Sequence, residues 1–309
     1  MFYEVFTPER FFSEIKTESA ARELIWRSRC GGEVFNCQYC GDQGFYEIKT
    51  RPEIRTCKGC KKQNRVRAGT IFDSSKTPLL IWVKAVFYVM QGKRGISATE
   101  LQRHLGLKSY GLVWSMLQKI RSALQQRDAE YKVGDGVVEL DGAVFGKRET
   151  GNQCEVLVAI ESKDWVDKNG KPKSKAGFAK VLVGKETKVN AQKLVDQGVK
   201  EDAMVNTDGK FKNLEKVDHD YQVVSGDPEV CKRWLPWVHK FISNAKSWIN
   251  GTHHGVLDKH IERYLGEYTY RFNRRHDVDR LFHRALAACA VAQPLSLIHI
   301  SEPTRPFHI

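Results

Sequence analysis

Two short strings deliver carboxylates to places where a metal ion can use them. VVELDG carries Asp141 and AMVNTDG carries Asp208. In each, an apolar, β-branched run ends on aspartate followed by glycine, which is how a strand reads when it brings a carboxylate to a sheet edge. Asp-Gly after a strand is also ordinary turn chemistry, so either string alone says little. Two such carboxylates on different strands can share a divalent cation, because hard cations take oxygen ligands. Metal-assisted phosphodiester chemistry is the reaction such a site suits.

A second constellation is made of sulfur. Four of the eight cysteines form Cys37-x-x-Cys40 and Cys57-x-x-Cys60, with 16 residues between the pairs. Each pair sits on a tight turn, CQYCG and CKGCK, so the thiolates can converge on one tetrahedral zinc ion. The segment between them, GFYEIKTRPEIRT, reads as a short hairpin. Two disulfides are the competing reading, and a reducing cytoplasm argues against them. Cys30 lies near enough to compete as a ligand. Cys154, Cys231 and Cys289 are isolated, and the first and last read as core residues.

The chain has 309 residues and a net charge of +13. That length suits a catalytic domain of about 150–200 residues plus smaller modules. The excess charge favours a polyanionic partner through counterion release. Lys58, Lys61, Lys62, Arg65 and Arg67 crowd the end of the cysteine segment with no acid among them. Such a run is often only a solvated face; beside a zinc ribbon, phosphate contact is at least as good a reading. No run of 18 apolar residues exists, so no membrane span is expected. The start, MFYEVFTPERFF, carries acids and too short an apolar stretch for a signal peptide. A cytoplasmic location is the expectation.

The elements that must position these groups follow from periodicity. A helix is predicted from about Pro78 to Gln91, broken by Gly92–Gly95. GISATELQRHLGLKSYGLVWSMLQKIRSAL then reads as a helix-turn-helix. Ser97 and Glu100 form a capping box, and Gly106 ends the first helix. The second runs from about Ser109 to Gln125 with Val113, Leu117, Ile120 and Leu124 inward. Lys108, Ser109 and Tyr110 fall at its N-terminus, where a recognition helix meets base edges; any two-helix corner in a core would look similar. Strands are predicted near 136–145, 153–161 and 177–183, with polar 162–175 as a loop or hairpin tip. A helix near 189–197, a strand at 203–207 ending on Asp208, and a strand at 221–224 follow. Three strands, helix, strand is the skeleton of an RNase H-like fold. It puts Asp141 and Asp208 on neighbouring strands.

A third ligand then belongs on a helix after the last strand, in the string WVHKFISNAKSWINGTHHGVLDKHIERYLGEYTYRFNRRHD. From about Arg22 to Pro294 the chain resembles the ISXO-like insertion-sequence transposases, zinc-ribbon DDE-type enzymes with a D-D-N/E-K signature. The motifs that carry the resemblance are CQYC and CKGC, AGTIFDSSKTPL, GISATEL, VELDG, VNTDG, and above all ISNAKSWINGTHHGV followed by YRFNRR. The resemblance implies Asp141, Asp208 and Asn244 as the metal-binding set and Lys246 as the signature lysine. It implies two Mg²⁺ (or Mn²⁺) ions per site, one structural Zn²⁺, and cleavage at element ends followed by strand transfer. Double-stranded DNA, as terminal inverted repeats and target, is the implied partner. A homodimer or higher assembly on DNA is implied too, in the cytoplasm of a bacterial cell.

Asn244 and Lys246 lie 36 and 38 residues after Asp208, in the helix the strand order requires. A polar surface residue is the plain reading of Asn244. Glu262 and Glu267 are rival third ligands. His239, His253 and His254 could touch phosphate or an attacking water. Arg271, Arg274 and Arg275 of YRFNRR suit DNA backbone contact. The expected division is a helical segment over 1–29, a zinc ribbon over 30–70, a helix-turn-helix module over 71–130 and an RNase H-like α/β catalytic domain, a mixed sheet flanked by helices, over 131–294. LSLIHISEPTR, Leu295–Arg305, reads as an in-frame translation of a sequencing-library adapter, so 295–309 is left out of the fold. A transposase-derived DNA-binding regulator without catalysis and a plain RNase H-like nuclease are the rival functions.

Overall fold

The computed structural model describes residues 7–146, 151, 153–166, 169–208, 211, 213–222, 230 and 233–295. The adapter-like tail beyond 295 and Cys231 lie outside the described residues. The chain divides into two compact units, 1–127 with 276–309, and 128–275.

In the first unit, α1 (Pro8–Glu14) and α2 (Glu18–Arg29) precede a three-stranded antiparallel sheet. Its strands are β1 (Phe45–Glu47), β2 (Ile54–Cys57) and β3 (Gln63–Arg65), one more than the predicted hairpin. Then come α3 (Leu79–Gln91), α4 (Ala98–Leu105) and α5 (Tyr110–Ala129). The α3 helix has no side-chain cap of its own. Glu18 supplies one from α2, its two carboxylate oxygens accepting the Leu79 and Leu80 N–H groups at 2.7 and 2.9 Å. This satisfies donors that would otherwise be orphaned. Ser97 caps α4 as predicted, and Gly106 ends it at φ 65, a left-handed position suited to glycine.

The second unit holds a five-stranded sheet made of β4 (Val137–Phe145), β5 (Cys154–Val166), β6 (Pro172–Val183), β7 (Ala203–Thr207) and β8 (Val217–Gln222). The order is β6-β5-β4-β7-β8. The first three strands are mutually antiparallel, and β4, β7 and β8 run parallel. This mixed sheet with helices on both faces is compatible with the RNase H-like expectation. Helix α6 (Lys188–Gly198) crosses from β6 to β7; α7 (Pro236–His253) and α8 (Asp258–Asn273) follow β8. Alternation along β4 separates two cores. Val138 and Leu140 pack with Leu194 and Val195 of α6. Ala143 and Phe145 pack with Phe241 and Ala245 of α7 and Leu265 of α8.

Two features depart from the expected layout. The polar stretch after Glu161 takes the hairpin alternative, and its strands run well past the expected bounds: β5 and β6 continue to pair from Lys163↔Lys175 to Val166↔Pro172. Long cross-strand pairing satisfies backbone groups whatever the side-chain polarity. The last helix, α9 (Val278–Val291), belongs to the first unit, not to the second where it was expected. It packs on α2 and α3, with Phe282 edge-on to Phe87 and the Ile71 N–H bonded to Cys289 O. No helix among the described residues is long and apolar enough to cross a membrane.

Glu161 ties the sheet's edge together at the bulge between Ile160 and Ser162. Its side chain is 1 % exposed. It accepts the N–H groups of Gly134 (2.8 Å), Asp135 (3.1 Å) and Phe178 (3.0 Å) and pairs with Lys163 at 3.2 Å. Burial alone would raise its pKa, yet these donors hold it below the usual carboxylate range. A depressed carboxylate contributes stability above its unfolded pKa, about 4.3, and loses it as pH falls through the folded value. In Glu161→Gln the amide NH₂ must face at least one backbone donor. We therefore expect a loss of roughly 2 kcal/mol at neutral pH. Thermal melts from pH 7 down to about pH 3.5 should show the gap to wild type closing in acid; a constant gap would contradict this role.

Candidate active site

Parallel pairing sets the two aspartates. Val138, Glu139 and Leu140 of β4 pair with Val205, Asn206 and Thr207 of β7. One step further, Asp141 and Asp208 stand side by side at about the 5 Å spacing of neighbouring strands. In-register residues of adjacent strands share a face. Glu139, Asp141, Asn206 and Asp208 therefore point to the α7 side, away from α6. Asn206 confirms the direction, its amide donating to Trp234 O at 3.3 Å.

Helix α7 begins on a carboxylate from this same strand. Its N-cap, Leu235, offers no side-chain acceptor. Glu139 Oε2 accepts the N–H groups of Trp237 (2.7 Å) and Val238 (2.9 Å). Burial pushes the Glu139 carboxyl up to about 7, although the Val238 and Trp237 N–H groups, the Ser162 hydroxyl and His239 pull the other way. One residue after Val238, His239 Nε2 lies 3.0 Å from Asp141 Oδ2. The Asp141 hydrogen bond raises the His239 pKa against the effect of burial, and the charges of Asp141, Glu139 and Asp208 add to it. Asp141 Oδ1 also accepts the Gly142 N–H at 2.8 Å.

The phase of α7 decides which side chains share that flank. Successive residues turn by about 100°. Lys246, seven residues after His239, returns to within about 20° of it. Its ammonium group lies 5.5 Å over the Phe145 ring, further along β4. Asn244, five residues on, is about 140° around the helix and is exposed. The structure thus brings Asp141, Asp208, His239 and Glu139 together and sets Asn244 on the helix's other flank. Of the rival acids, Glu267 is fully buried beside Arg271 at 3.7 Å. Glu262 is exposed and acts on Cys154. Cys154 pairs with Phe145, about 13 Å along β4 from Asp141. His253 packs edge-on to Trp248 and Tyr264, and His254 is the left-handed C-cap of α7. Glu139 was not singled out in the sequence. Its signal was the i, i+2 spacing to Asp141, which gives both one face of a strand.

The arginine-rich end of α8 is engaged within the protein. Arg274 is buried, 2.6 Å from Asp128 and 3.7 Å over the Tyr270 ring. Arg275 stacks on Phe272 and donates to the carbonyls of Ala176, Gly177 and Phe272. Desolvation lowers the pKa of Arg271, which lies beside the buried Glu267. A planar guanidinium with five donors suits such sites as well as it suits phosphate. Arg67 is likewise committed, to Glu53 and to the carbonyls of Ser75 and Thr77. Among the other expected contacts, Lys61, Lys62, Arg65, Lys108 and Ser109 are exposed and Tyr110 is half-buried. Helix α5 shows solvent mainly at its two ends, for Val113, Trp114, Met116 and Leu117 are buried.

The four cysteines converge in the first unit, their sulfurs all within 4.8 Å of one another. Cys37–Cys60 and Cys40–Cys57 each approach to 3.6 Å. A tetrahedral ion with bonds of about 2.3 Å has edges of about 3.7–3.8 Å, so this donor set fits zinc. Burial raises the Cys37 thiol, but the Tyr39 N–H, the Asn64 amide and the Cys40 N–H bring it down to about 6, towards the thiolate a metal requires. Asp42 accepts from Gly59 N at 2.8 Å and Gly44 N at 3.2 Å, clipping the two knuckles together. Among the described residues no other group of three such ligands is this tight.

Comparison with known families bears on the second unit. No curated protein matches the chain. Residues 134–273 match the family described as the ISXO2-like transposase domain. That span takes in every strand of the five-stranded sheet together with α6, α7 and α8. Asp141 midway along β4, Asp208 directly after β7, and the helix that Glu139 holds against them all lie inside the stretch that matches the ISXO2-like transposase domain.

Proposed function

We propose that the chain is an insertion-sequence transposase that cuts DNA at the element's ends and joins them to target DNA. The observation that carries the reading is that Asp141 and Asp208 directly follow the paired Leu140 and Thr207 on neighbouring parallel strands, with His239 3.0 Å from the first. Two carboxylates and an imidazole are a donor set for a divalent ion. When bound, two such ions activate water, and later a 3′-hydroxyl, and stabilise the leaving oxygen. Asp141 and Asp208 would hold the ions, with the His239 ring nitrogen beside Asp141 as a third donor. Lys246, on the same flank of α7, anchors a phosphate beside the scissile bond. We place His239 in the position that the resemblance gives to Asn244.

The first unit supplies DNA recognition in this proposal. The cysteine cluster holds one structural zinc, α4 and α5 act as a helix-turn-helix, and Lys108, Ser109 and Tyr110 meet the DNA. Lys61, Lys62 and Arg65 contact phosphates. Joining two ends calls for a dimer or larger assembly on the DNA, in the cytoplasm.

Asp141→Ala and Asp208→Ala should abolish cleavage of labelled element ends. His239→Ala should lower it on the order of a hundredfold, and Asn244→Ala by far less. Imidazole favours softer ions than Mg²⁺, so Mn²⁺ should support faster cleavage, and His239→Glu should shift the preference back towards Mg²⁺. An inactive Asn244→Ala beside an active His239→Ala would return the third position to Asn244. Purified protein should contain one zinc by elemental analysis, lost in the Cys37→Ser, Cys60→Ser double variant with melting of the first unit. Full zinc in that variant would refute the ribbon's metal site.

A further inference from the structure

The two cysteine knuckles share one backbone design and differ at one position. In the first, Gly41 N bonds Cys37 O at 2.9 Å and Cys37 N bonds Asp42 O at 3.0 Å. In the second, Lys61 N bonds Cys57 O at 3.2 Å and Cys57 N bonds Lys62 O at 3.0 Å. The residue after each second cysteine is left-handed, Gly41 at φ 77 and Lys61 at φ 60. Glycine takes that conformation freely, whereas a lysine there is strained. The backbone gains nothing from lysine at this place, so the reason lies in the side chain.

The Lys61 ammonium group sits 5.5 Å over the Tyr46 ring, which Lys58 also approaches at 5.3 Å. Its neighbour Lys62 sits 4.6 Å over Tyr39. The two rings are 54 % and 59 % exposed. None of the three lysines pairs with a carboxylate among the described residues. The metal end of the ribbon therefore presents two open aromatic faces interleaved with three unneutralised cations. A duplex offers phosphates to such a surface but keeps its base faces stacked inside. An unpaired strand offers both a flat ring and a phosphate at each nucleotide.

We propose that the ribbon tip binds unpaired DNA, with Tyr39 and Tyr46 stacking on bases and Lys58, Lys61 and Lys62 contacting the phosphates between them. The proposal rests on the DNA-cutting role assigned above, in which staggered cuts at an element end leave such a strand. It gives the ribbon a task separate from reading the duplex, which falls to α4 and α5.

The test uses the full-length protein and fluorescence anisotropy with two probes, an oligothymidylate about 15 nucleotides long and a random duplex of similar length. Tyr39→Ala and Tyr46→Ala should each weaken the single strand about tenfold and leave the duplex within about twofold. Replacing each lysine by glutamine should lower the salt slope for the single strand by about 0.7. Lys61→Gly should raise the melting temperature, because strain is relieved, while weakening the single strand. A folded Tyr39→Ala, Tyr46→Ala double variant that holds the single strand like wild type would overturn the proposal. So would a Lys61→Gly variant that melts lower and binds as before. Binding to the duplex with no effect of the tyrosines sinks the stacking role alone, whereas binding to neither probe sinks the DNA-cutting reading with it.

Discussion

Glu139 gives up water to accept two backbone N–H groups at the start of α7, and the geometry of the second unit depends on that junction. A helix that begins without its own cap leaves four donors orphaned. Here a sheet strand supplies the missing acceptor, so the first turn of α7 cannot slide without breaking two hydrogen bonds to a buried carboxyl. The strand that supplies Glu139 also supplies Asp141, two residues on and on the same face. Helix and carboxylate are thereby located from one backbone. His239 reaches Asp141 because it follows Val238, the second residue that Glu139 holds. The first unit repeats the device: α3 also lacks a side-chain cap and begins on Glu18, delivered from α2.

The buried arginines show the converse constraint. Arg55 is 3 % exposed, yet it bonds Glu23, Glu47 and Val34 O and lies over Trp26 and Phe45. Arg67, Arg274 and Arg275 are held in similar nests of carbonyls, carboxylates and rings. A guanidinium can leave water only where its donors are matched nearly all round. Such residues tie distant stretches together: Arg29 of α2 gathers the carbonyls of Arg65, Val66 and Ala68. Much of the chain's positive charge is thus structural. What remains free for phosphate is largely lysine, as at the ribbon tip, where Lys58, Lys61 and Lys62 stand over exposed rings.

This division explains which parts of the site could be read from the sequence. Asp141 and Asp208 were legible because strand, aspartate and glycine follow one another in both strings and the order of elements makes their strands neighbours. The cysteine cluster was legible from spacing alone. The arginines of YRFNRR were not, since their burial depends on Asp128 and on the carbonyls of Ala176 and Gly177, which lie about a hundred residues or more earlier. The place of α9 was hidden for the same reason. Its apolar stripe is amphipathic in any setting, and only the partners on α2 and α3 decide which core it enters. For the lysine-rich stretch after Glu161 the sequence left loop and hairpin both open, because backbone pairing there does not need an apolar face.

Helix α7 lies between these cases. Its existence and amphipathic face could be read from WVHKFISNAKSWINGTHH, and so could its phase. Val238, Phe241, Ala245, Trp248 and Ile249 define the buried stripe. Relative to that stripe His239 and Lys246 fall on one flank and Asn244 on the other. What the string lacks is a statement of which flank meets the sheet's carboxylates. Only an attachment point outside the helix can supply it, and Glu139 is that point. By fixing Trp237 and Val238 to β4 it turns the His239 flank towards Asp141. The place of His239 beside Asp141 is therefore set by bonds from the neighbouring strand residue Glu139.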